Sequence, residues 1–286
     1  MPGATSGRPA RNERVPVLKL ADGEELYYEV HGAGPPLALV SGLNGVGAFW
    51  APHLAELGTR FTVVLHDHRG TGRSSRSRID YSIEQMTDDL VRLLDHLGIE
   101  KAHLVGHSTG GAIGQTLAID RPERVRRLVL SATWTAPDAY FRRLFTLRAD
   151  VLRALGPEGY LRVSLLFLRP PAWIREHEAA LAAEQATMLA GFPPPEIMLE
   201  RIAAILRFDR RADLARIAAP TLVVGAKDDA VTPAYFSEEL GRLIPGAETM
   251  ILAGGEHFFP VAAAAEFRRL LLDFLERPAP AAGAAR

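Results

Sequence analysis

The 286-residue chain has no cysteine, which excludes disulfides, thiolate nucleophiles and cysteine-ligated metals. Net charge is also nearly absent, at −1 near neutral pH, so nothing advertises a nucleic-acid partner, which a basic excess would signal. No run approaches the roughly 18 consecutive apolar residues that a membrane span needs. Met1 to Arg14 lacks the apolar centre of a signal peptide. The expectations are therefore a cytoplasmic protein, no membrane, no nucleic acid and a small-molecule partner, with a homodimer allowed. Lysine is scarce beside arginine, and the one local cluster, Arg69, Arg73, Arg76 and Arg78, reads as a solvated loop. What is present is ordinary: 48% hydrophobic and 23% charged residues suffice for one sizeable core or a core with an insertion.

Residues 1–14 and 278–286 are rich in Pro, Gly and Ala and are expected to be disordered. Between them, strand and helix patterns alternate. Val15 to Leu20 and Glu24 to Val30 read as two strands joined at Asp22-Gly23, a hairpin signal. Leu37 to Ser41 and Phe61 to Leu65 are short apolar runs of the kind buried on both faces of a sheet, with a crossover helix around Phe49, Trp50, Leu54 and Leu57 between them. Ser82 and Gln85 form a capping-box pattern ahead of Ile83, Met86, Leu90, Leu93, Leu94 and Leu97 at helical spacing, and Gly98 follows as a stop. A strand at Ala102 to Val105, a helix from Ala112 and a strand at Val125 to Ser131 continue the series. From about Ala136 to Asp213 the alternation gives way to helical sequence broken by Gly156-Pro157, Pro170-Pro171 and Pro193-Pro194-Pro195. It resumes with Thr221 to Gly225, a helix around Ala234 to Leu243, a strand at Glu248 to Leu252 and a last helix from about Ala262 to Glu276. The pattern implies an α/β fold: a mostly parallel, twisted sheet flanked by helices. The core covers 15–135 and 214–277, and a helical cap of three to five helices is inserted at 136–213.

One stretch carries chemistry. Gly106-His107-Ser108-Thr109-Gly110 is a G-x-S-x-G pentapeptide between an apolar strand and a helix-compatible run, the context in which a serine is pushed out on a tight strand-to-helix turn. A serine hydroxyl needs a neighbouring base to become nucleophilic. Downstream, Asp228 and Asp229 follow one buried strand and His257 follows the last, in the chain order Ser, Asp, His.

With these residues the chain resembles the α/β-hydrolase superfamily from about Val15 to Glu276, including its Ser41-Gly42-Leu43 turn and the stretch Asp67-His68-Arg69-Gly70-Thr71-Gly72-Arg73-Ser74. The resemblance implies Ser108 as nucleophile and His257 as general base and then acid. It favours Asp229 over Asp228 as the orienting acid, because similar proteins carry that acid four residues before a proline matching Pro233. It also implies an oxyanion hole made by the backbone N–H groups of Leu43 and Thr109. Ser41 stands where a histidine is common, which bears on local packing only. No cofactor and no metal are expected. His66, Asp67 and His68 alternate across a strand end and lack a third ligand. His107 is expected to pack beneath the turn, with His53, His96 and His103 structural, and Asp138 is a weaker candidate acid.

Trp134, Tyr140, Phe141, Phe145, Phe167, Trp173 and Phe192 fall in or near the inserted segment. Trp134, Phe258, Phe167 and Trp173 are the candidates to touch substrate in an apolar pocket between core and cap. A nucleophilic Ser implies acyl transfer on esters, lactones, amides or carbamates, or hydrolysis of certain C–C bonds. Three separated stretches look like the pyrimidine-utilisation aminoacrylate or carbamate hydrolases: Val40 to Gly45 with Phe49-Trp50, Asp80 to Met86, and Phe167 to Trp173. That group is similar in turn to 3-oxoadipate enol-lactonases. The reading is a serine hydrolase of a small amide, carbamate or ester/enol-lactone substrate. A meta-cleavage C–C hydrolase and a non-catalytic ligand receptor on the same fold are the alternatives.

Overall fold

The computed structural model describes residues 16–278. The ends expected to be disordered, 1–14 and all but the first residue of 278–286, lie outside the described residues. Strands β1 (Val17–Lys19) and β2 (Glu25–His31) form the hairpin expected at Asp22-Gly23, with Val17 opposite Tyr27 and Lys19 opposite Glu25. Six more strands complete the sheet: β3 (Pro36–Val40), β4 (Thr62–His66), β5 (Ala102–His107), β6 (Val125–Ser131), β7 (Thr221–Ala226) and β8 (Glu248–Leu252). Their order is β1-β2-β4-β3-β5-β6-β7-β8. β1 and β2 pair antiparallel, as do β2 and β4, and every pairing from β4 to β8 is parallel.

The apolar runs of the central strands are buried on both faces because successive side chains point to opposite sides. Ala38, Val40, Val64, Leu104, Leu128, Leu130 and Val223 enter one core. Their chain neighbours Leu37, Leu39, Val63, Leu65, Val105, Val129, Leu222 and Val224 enter the other. The expected first crossover helix divides into a 3-10 turn at Gly47–Trp50 and helix α1 (Ala51–Leu57). Trp50 and Leu57 cover the second core. Helices α2 (Ile83–His96) and α3 (Thr109–Asp120) cover the first.

At the start of α2, Ser82 Oγ accepts from Gln85 N at 3.0 Å, which satisfies one of the free N–H groups of the first turn. The reciprocal half of the expected capping box is missing, because the Gln85 amide turns instead to Asp89. Asp89 is buried, and burial raises its carboxyl above the usual range while Arg69 opposes the shift. Arg69 Nε meets Asp89 Oδ2 at 3.0 Å, Nη2 meets Oδ1, and Nη1 reaches Asp22 Oδ2 at 2.5 Å. Arg73 binds Asp67, Glu29 and the Tyr27 hydroxyl and lies 3.4 Å over the Tyr27 ring. Arg73, Arg76 and Arg78 are exposed, as the solvated loop read from sequence requires, and Arg69 is buried. Arg69 and Arg73 anchor the segment after β4 to the β1–β2 hairpin and to α2.

Between β6 and β7 lie α4 (Ala139–Leu168), α5 (Pro171–Glu176), α6 (Glu178–Ala190) and α7 (Pro195–Arg207), followed by a 3-10 turn at Arg211–Arg216. The proline clusters set the starts of α5 and α7, where a missing N–H costs nothing. At Gly156 the backbone leaves helical angles (φ 68°, ψ −169°), so α4 is two helices across a kink. α8 (Ala234–Leu243), α9 (Phe259–Ala262) and α10 (Ala264–Leu275) complete the chain, α10 standing where the terminal helix was expected and α9 a short helix just ahead of it. Among the described residues no helix is long and apolar enough to cross a membrane.

The Arg69–Asp89 pair is buried on both sides, so removing one partner leaves an uncompensated charge. Arg69→Met is expected to lower unfolding stability by about 3–5 kcal/mol. Arg69→Met with Asp89→Leu should recover most of that loss. Urea unfolding of the two variants checks this, and equal losses in both would show that the pair is not the cause.

Candidate active site

β5 hands over to α3 at Ser108, which holds φ 53° and ψ −115°, a conformation that strains any side-chain-bearing residue. The surroundings leave no room to relax. A Cβ on Gly106 would lie 2.1 Å from Gly110 O, and one on Gly110 would lie 2.2 Å from Val40 O. Ser108 N donates to Ser131 O at 2.8 Å, tying the turn to the end of β6. The serine hydroxyl makes no hydrogen bond with another described residue, and serine–imidazole contacts often close only with substrate bound.

Asp229 and His257 come from the loops after β7 and β8. His257 Nδ1 meets Asp229 Oδ2 at 2.9 Å, and both side chains are buried. Asp229 Oδ1 accepts from Val231 N at 2.7 Å and Thr232 N at 2.9 Å, while Oδ2 also accepts from the Thr232 hydroxyl at 2.8 Å. An ionised carboxylate can only accept, so this contact selects the tautomer in which Nδ1–H donates to Asp229 and Nε2 carries no proton. Asp228 faces the other way. Its oxygens accept from Glu256 N at 2.8 Å and Gly255 N at 3.3 Å, fixing the loop that carries His257. Glu256, at φ 58°, pairs with Arg169, which also holds Glu184 on α6. Asp138 makes no hydrogen bond to this pair among the described residues. It caps α4 through Phe141 N and accepts from the Tyr235 hydroxyl at 2.7 Å.

The loop after β3 lies over the serine. A Cβ on Gly42 would sit 3.2 Å from Ser108 Cβ. Ser41 Oγ donates to Val46 O at 2.8 Å and Gly45 N to Gly42 O at 2.9 Å, so Ser41 closes the turn from inside. Neither Leu43 N nor Thr109 N has a backbone acceptor outside the regular elements among the described residues. The Leu43 carbonyl is held by Arg201 of α7, through Nε at 3.1 Å and Nη2 at 2.8 Å. Arg201 is fully buried, and burial lowers its guanidinium to about 10.

Ser108, His257 and the Ser41–Val46 loop line one cavity of about 340 Å³. Ser41 to Val46, Phe49, His107, Ser108, Val231, His257 and Phe258 form its core side; Phe145, Arg148, Leu161, Leu168, Thr187, Met188, Gly191, Phe192 and Pro193 form the side from the inserted helices. Of the four aromatic candidates, only Phe258 is on the wall. Trp134 is 1% exposed, packed against Phe141 and Phe208 at 4.7 and 5.9 Å between ring centroids, because the chain turns inward after β6. Phe167 packs on the core beside Leu168, which takes the wall position in its place. Trp173 stacks on His177 and under Arg169. The sequence reading missed Arg148, Arg169 and Arg201. Arg148 and Arg201 could have been found as charges at apolar stripe positions, Phe141-Leu144-Phe145-Arg148-Leu152 and Ile197-Met198-Arg201-Ile202-Ile205.

His107 is buried on the pocket wall, stacked on Phe49 at 4.8 Å, with its ring 4.9 Å from that of His257. Nδ1 lies 3.2 Å from Ser131 Oγ. Burial pushes its imidazole well below the ordinary value, and His257 adds to the effect. His66 and His68 stack on each other at 5.0 Å, while Asp67 turns away to Gly47 N and Arg73. Among the described residues no three His, Cys, Asp or Glu side chains converge as a metal site.

The sheet order, the strained serine turn and the converging loops define a class of fold. The chain matches the α/β hydrolase fold family over residues 35–262 and belongs to it. It is 46% identical over 250 residues, 87% of this chain and 94% of the relative, to a protein of Azorhizobium caulinodans named "Putative carbamate hydrolase RutD". A RutD of the same name from Caulobacter vibrioides is 43% identical over 88% of this chain and 95% of its own. Among solved structures, a hydrolase from Pseudomonas aeruginosa superposes with TM-score 0.85 at 31% identity, covering 93% of this chain and all of that one. The enol-lactonase of Burkholderia xenovorans gives 0.84 at 27%, covering 92% of this chain and all of its own.

Buried neutral histidines make a prediction about stability. Burial lowers His66 and His103 to about 4, and His68 and His107 well below the ordinary value. The unfolded chain takes these protons near pH 6.5, so it binds more protons than the folded chain between about pH 4 and 6.5. Stability is present above that window and is lost as pH falls through it. Asp89 and Glu256, raised by burial, act in the opposite sense. Urea unfolding from pH 7 to 5.5 should lose about 1.4 kcal/mol per pH unit or more near pH 5.5. A free energy independent of pH there would mean that these rings are not buried neutral.

Proposed function

We propose that the protein is a serine hydrolase that works through an acyl-enzyme on a small amide, carbamate or ester/enol-lactone substrate. The observation that carries it is the 2.9 Å contact between His257 Nδ1 and Asp229 Oδ2, in a cavity whose wall also holds Ser108 on its strained turn. In this reading residues 136–213 act as a cap over a core of 15–135 and 214–277. Substrate lies between them.

Ser108 Oγ attacks the carbonyl carbon while His257 Nε2 takes its proton. Asp229 holds the Nδ1–H tautomer and stabilises the imidazolium that results. Charge on the former carbonyl oxygen falls to the N–H groups of Leu43 and Thr109, whose loss one at a time would cost about a hundred- to a thousand-fold. The imidazolium then protonates the departing nitrogen or oxygen. A water, deprotonated by the same nitrogen, attacks the acyl-enzyme carbonyl and releases the acid and Ser108. His107, neutral and 4.9 Å from the His257 ring, places no like charge beside the transient imidazolium. The RutD relatives are named for carbamate hydrolysis and one structural neighbour for enol-lactone hydrolysis, both acyl transfers to water. That shared chemistry supports the substrate range.

A fluorophosphonate is expected to leave its adduct on the Ser108 peptide by mass spectrometry. Ser108→Ala should lose the label and at least about a thousand-fold in kcat. Acidification should lower kcat/KM, since a protonated His257 cannot accept the serine proton. Full activity in Ser108→Ala, or a flat profile between about pH 5 and 8, would remove the mechanism.

A further inference from the structure

Arg148, in the first half of α4, is 6% exposed and has no carboxylate partner among the described residues. Nε donates to Ser164 Oγ at 3.0 Å and Nη2 to the Tyr160 hydroxyl at 2.6 Å. The rings of Phe145 and Tyr160 flank it, with centroids 4.8 and 4.9 Å from Cζ. Every one of these neighbours is neutral. A guanidinium has five N–H groups, so the second hydrogen on Nη2 and both on Nη1 lack a side-chain or backbone acceptor among the described residues. Two other arginines of the region, buried Arg201 and part-buried Arg169, differ. Arg201 is bound by Leu43 O, Arg69 O and His68 Nδ1, and Arg169 by two glutamates.

Arg148 lines the same cavity as Ser108 and His257, and no Asp or Glu lines it. An unpaired charge at such burial costs several kcal/mol, and its two neutral hydrogen bonds, which brace the halves of α4 across the Gly156 kink, do not neutralise it. An anion in the cavity would. The walls beside it, Phe145, Leu161, Leu168 and Met188, exclude water and so strengthen a charge-assisted bond.

We propose that Arg148 is the anion-recognition residue of this pocket, and that the substrate carries a planar carboxylate separate from the carbonyl attacked by Ser108. The word substrate rests on the hydrolase reading above; the preference of the pocket for a carboxylate does not. The guanidinium fork offers parallel N–H groups that match a carboxylate, which a lysine ammonium cannot reproduce.

Two pairs of probes separate these ideas. Pentanoate and pentan-1-ol offer no bond to hydrolyse, and ligand-observed NMR gives their affinities for the full-length protein. Pentanoate should bind wild type at least about tenfold tighter; Arg148→Met should abolish that preference and Arg148→Lys should retain part of it. Monomethyl and dimethyl succinate form the reactive pair. Arg148→Met should raise KM for the monoanionic ester about tenfold or more relative to the neutral one. Turnover of neither ester with the pentanoate preference intact would sink the hydrolase reading and leave this one standing. Equal affinity of wild type for pentanoate and pentan-1-ol would overturn the proposal. So would an unaltered preference in either folded variant, and if Arg148→Met does not fold, the wild-type ratio and Arg148→Lys still decide.

Discussion

The close approach of α3 to the end of β3 is the constraint from which the rest of the site follows. Gly110 stands where even a methyl group would collide with Val40 O, and Gly106 where one would collide with Gly110 O. Packed this tightly, the chain can pass from β5 to α3 only through Ser108 at a positive φ, at a cost of about 1–3 kcal/mol that the surrounding packing sustains. The same proximity drops the Ser41–Gly45 loop onto the serine, so that Gly42 is in near contact with its Cβ. The Ser131 carbonyl that accepts from Ser108 N ends the strand from which the inserted helices depart. One steric contact thus arranges the proposed nucleophile, the loop with the proposed oxyanion donor and the root of the insertion.

Two arginines then join the insertion to the loops of the candidate site. Arg201 on α7 grips the Leu43 carbonyl, one peptide beyond the proposed oxyanion donor. Arg169, just after α4, pairs with Glu256 beside His257 and lies over the Phe258 ring at 5.4 Å. Both are shielded from water, where such bonds are strong when made and costly when broken. The inserted helices are therefore mechanical supports of the site as well as walls of its cavity. Their packing and the geometry of the two loops are coupled.

How much of this was legible in the sequence follows from the range of the interactions. Strands buried on both faces announce themselves as apolar runs, and Asp22-Gly23, Ser82 and Gly98 punctuate the chain through local backbone chemistry. Sheet and crossover helices could be read for that reason. Ser108, Asp228, Asp229 and His257 stood out as candidates because each follows a strand end and the chain order is distinctive, and the resemblance favoured Asp229 of the two acids. The aromatic assignments were weaker because an aromatic side chain serves a core and a pocket equally well. Trp134 packs in the core while Phe258 lies on the cavity wall, and residue type alone does not separate them. The arginine cluster at 69–78 misled for a related reason: charge density suggests solvent, whereas the buried acid Asp89, twenty residues on, draws Arg69 inward.

A charge on an apolar helical stripe is the signal with the greatest remaining value. Arg148 and Arg201 occupy equivalent places in the patterns of α4 and α7, and both are buried. Sequence periodicity alone makes them alike. What separates them is the fate of their N–H groups: Arg201 is bound by backbone carbonyls and a neutral imidazole, so its charge is solvated by the protein. Arg148 is bound by two hydroxyls and two ring faces, with N–H groups left over in a cavity that has no acid. The first arrangement is complete without a ligand and fits a strut; the second is incomplete and fits a receptor for an anion. In the proposed reading the strained Ser108 turn and its neighbours set which bond is attacked, while the insertion sets what the molecule holding that bond carries.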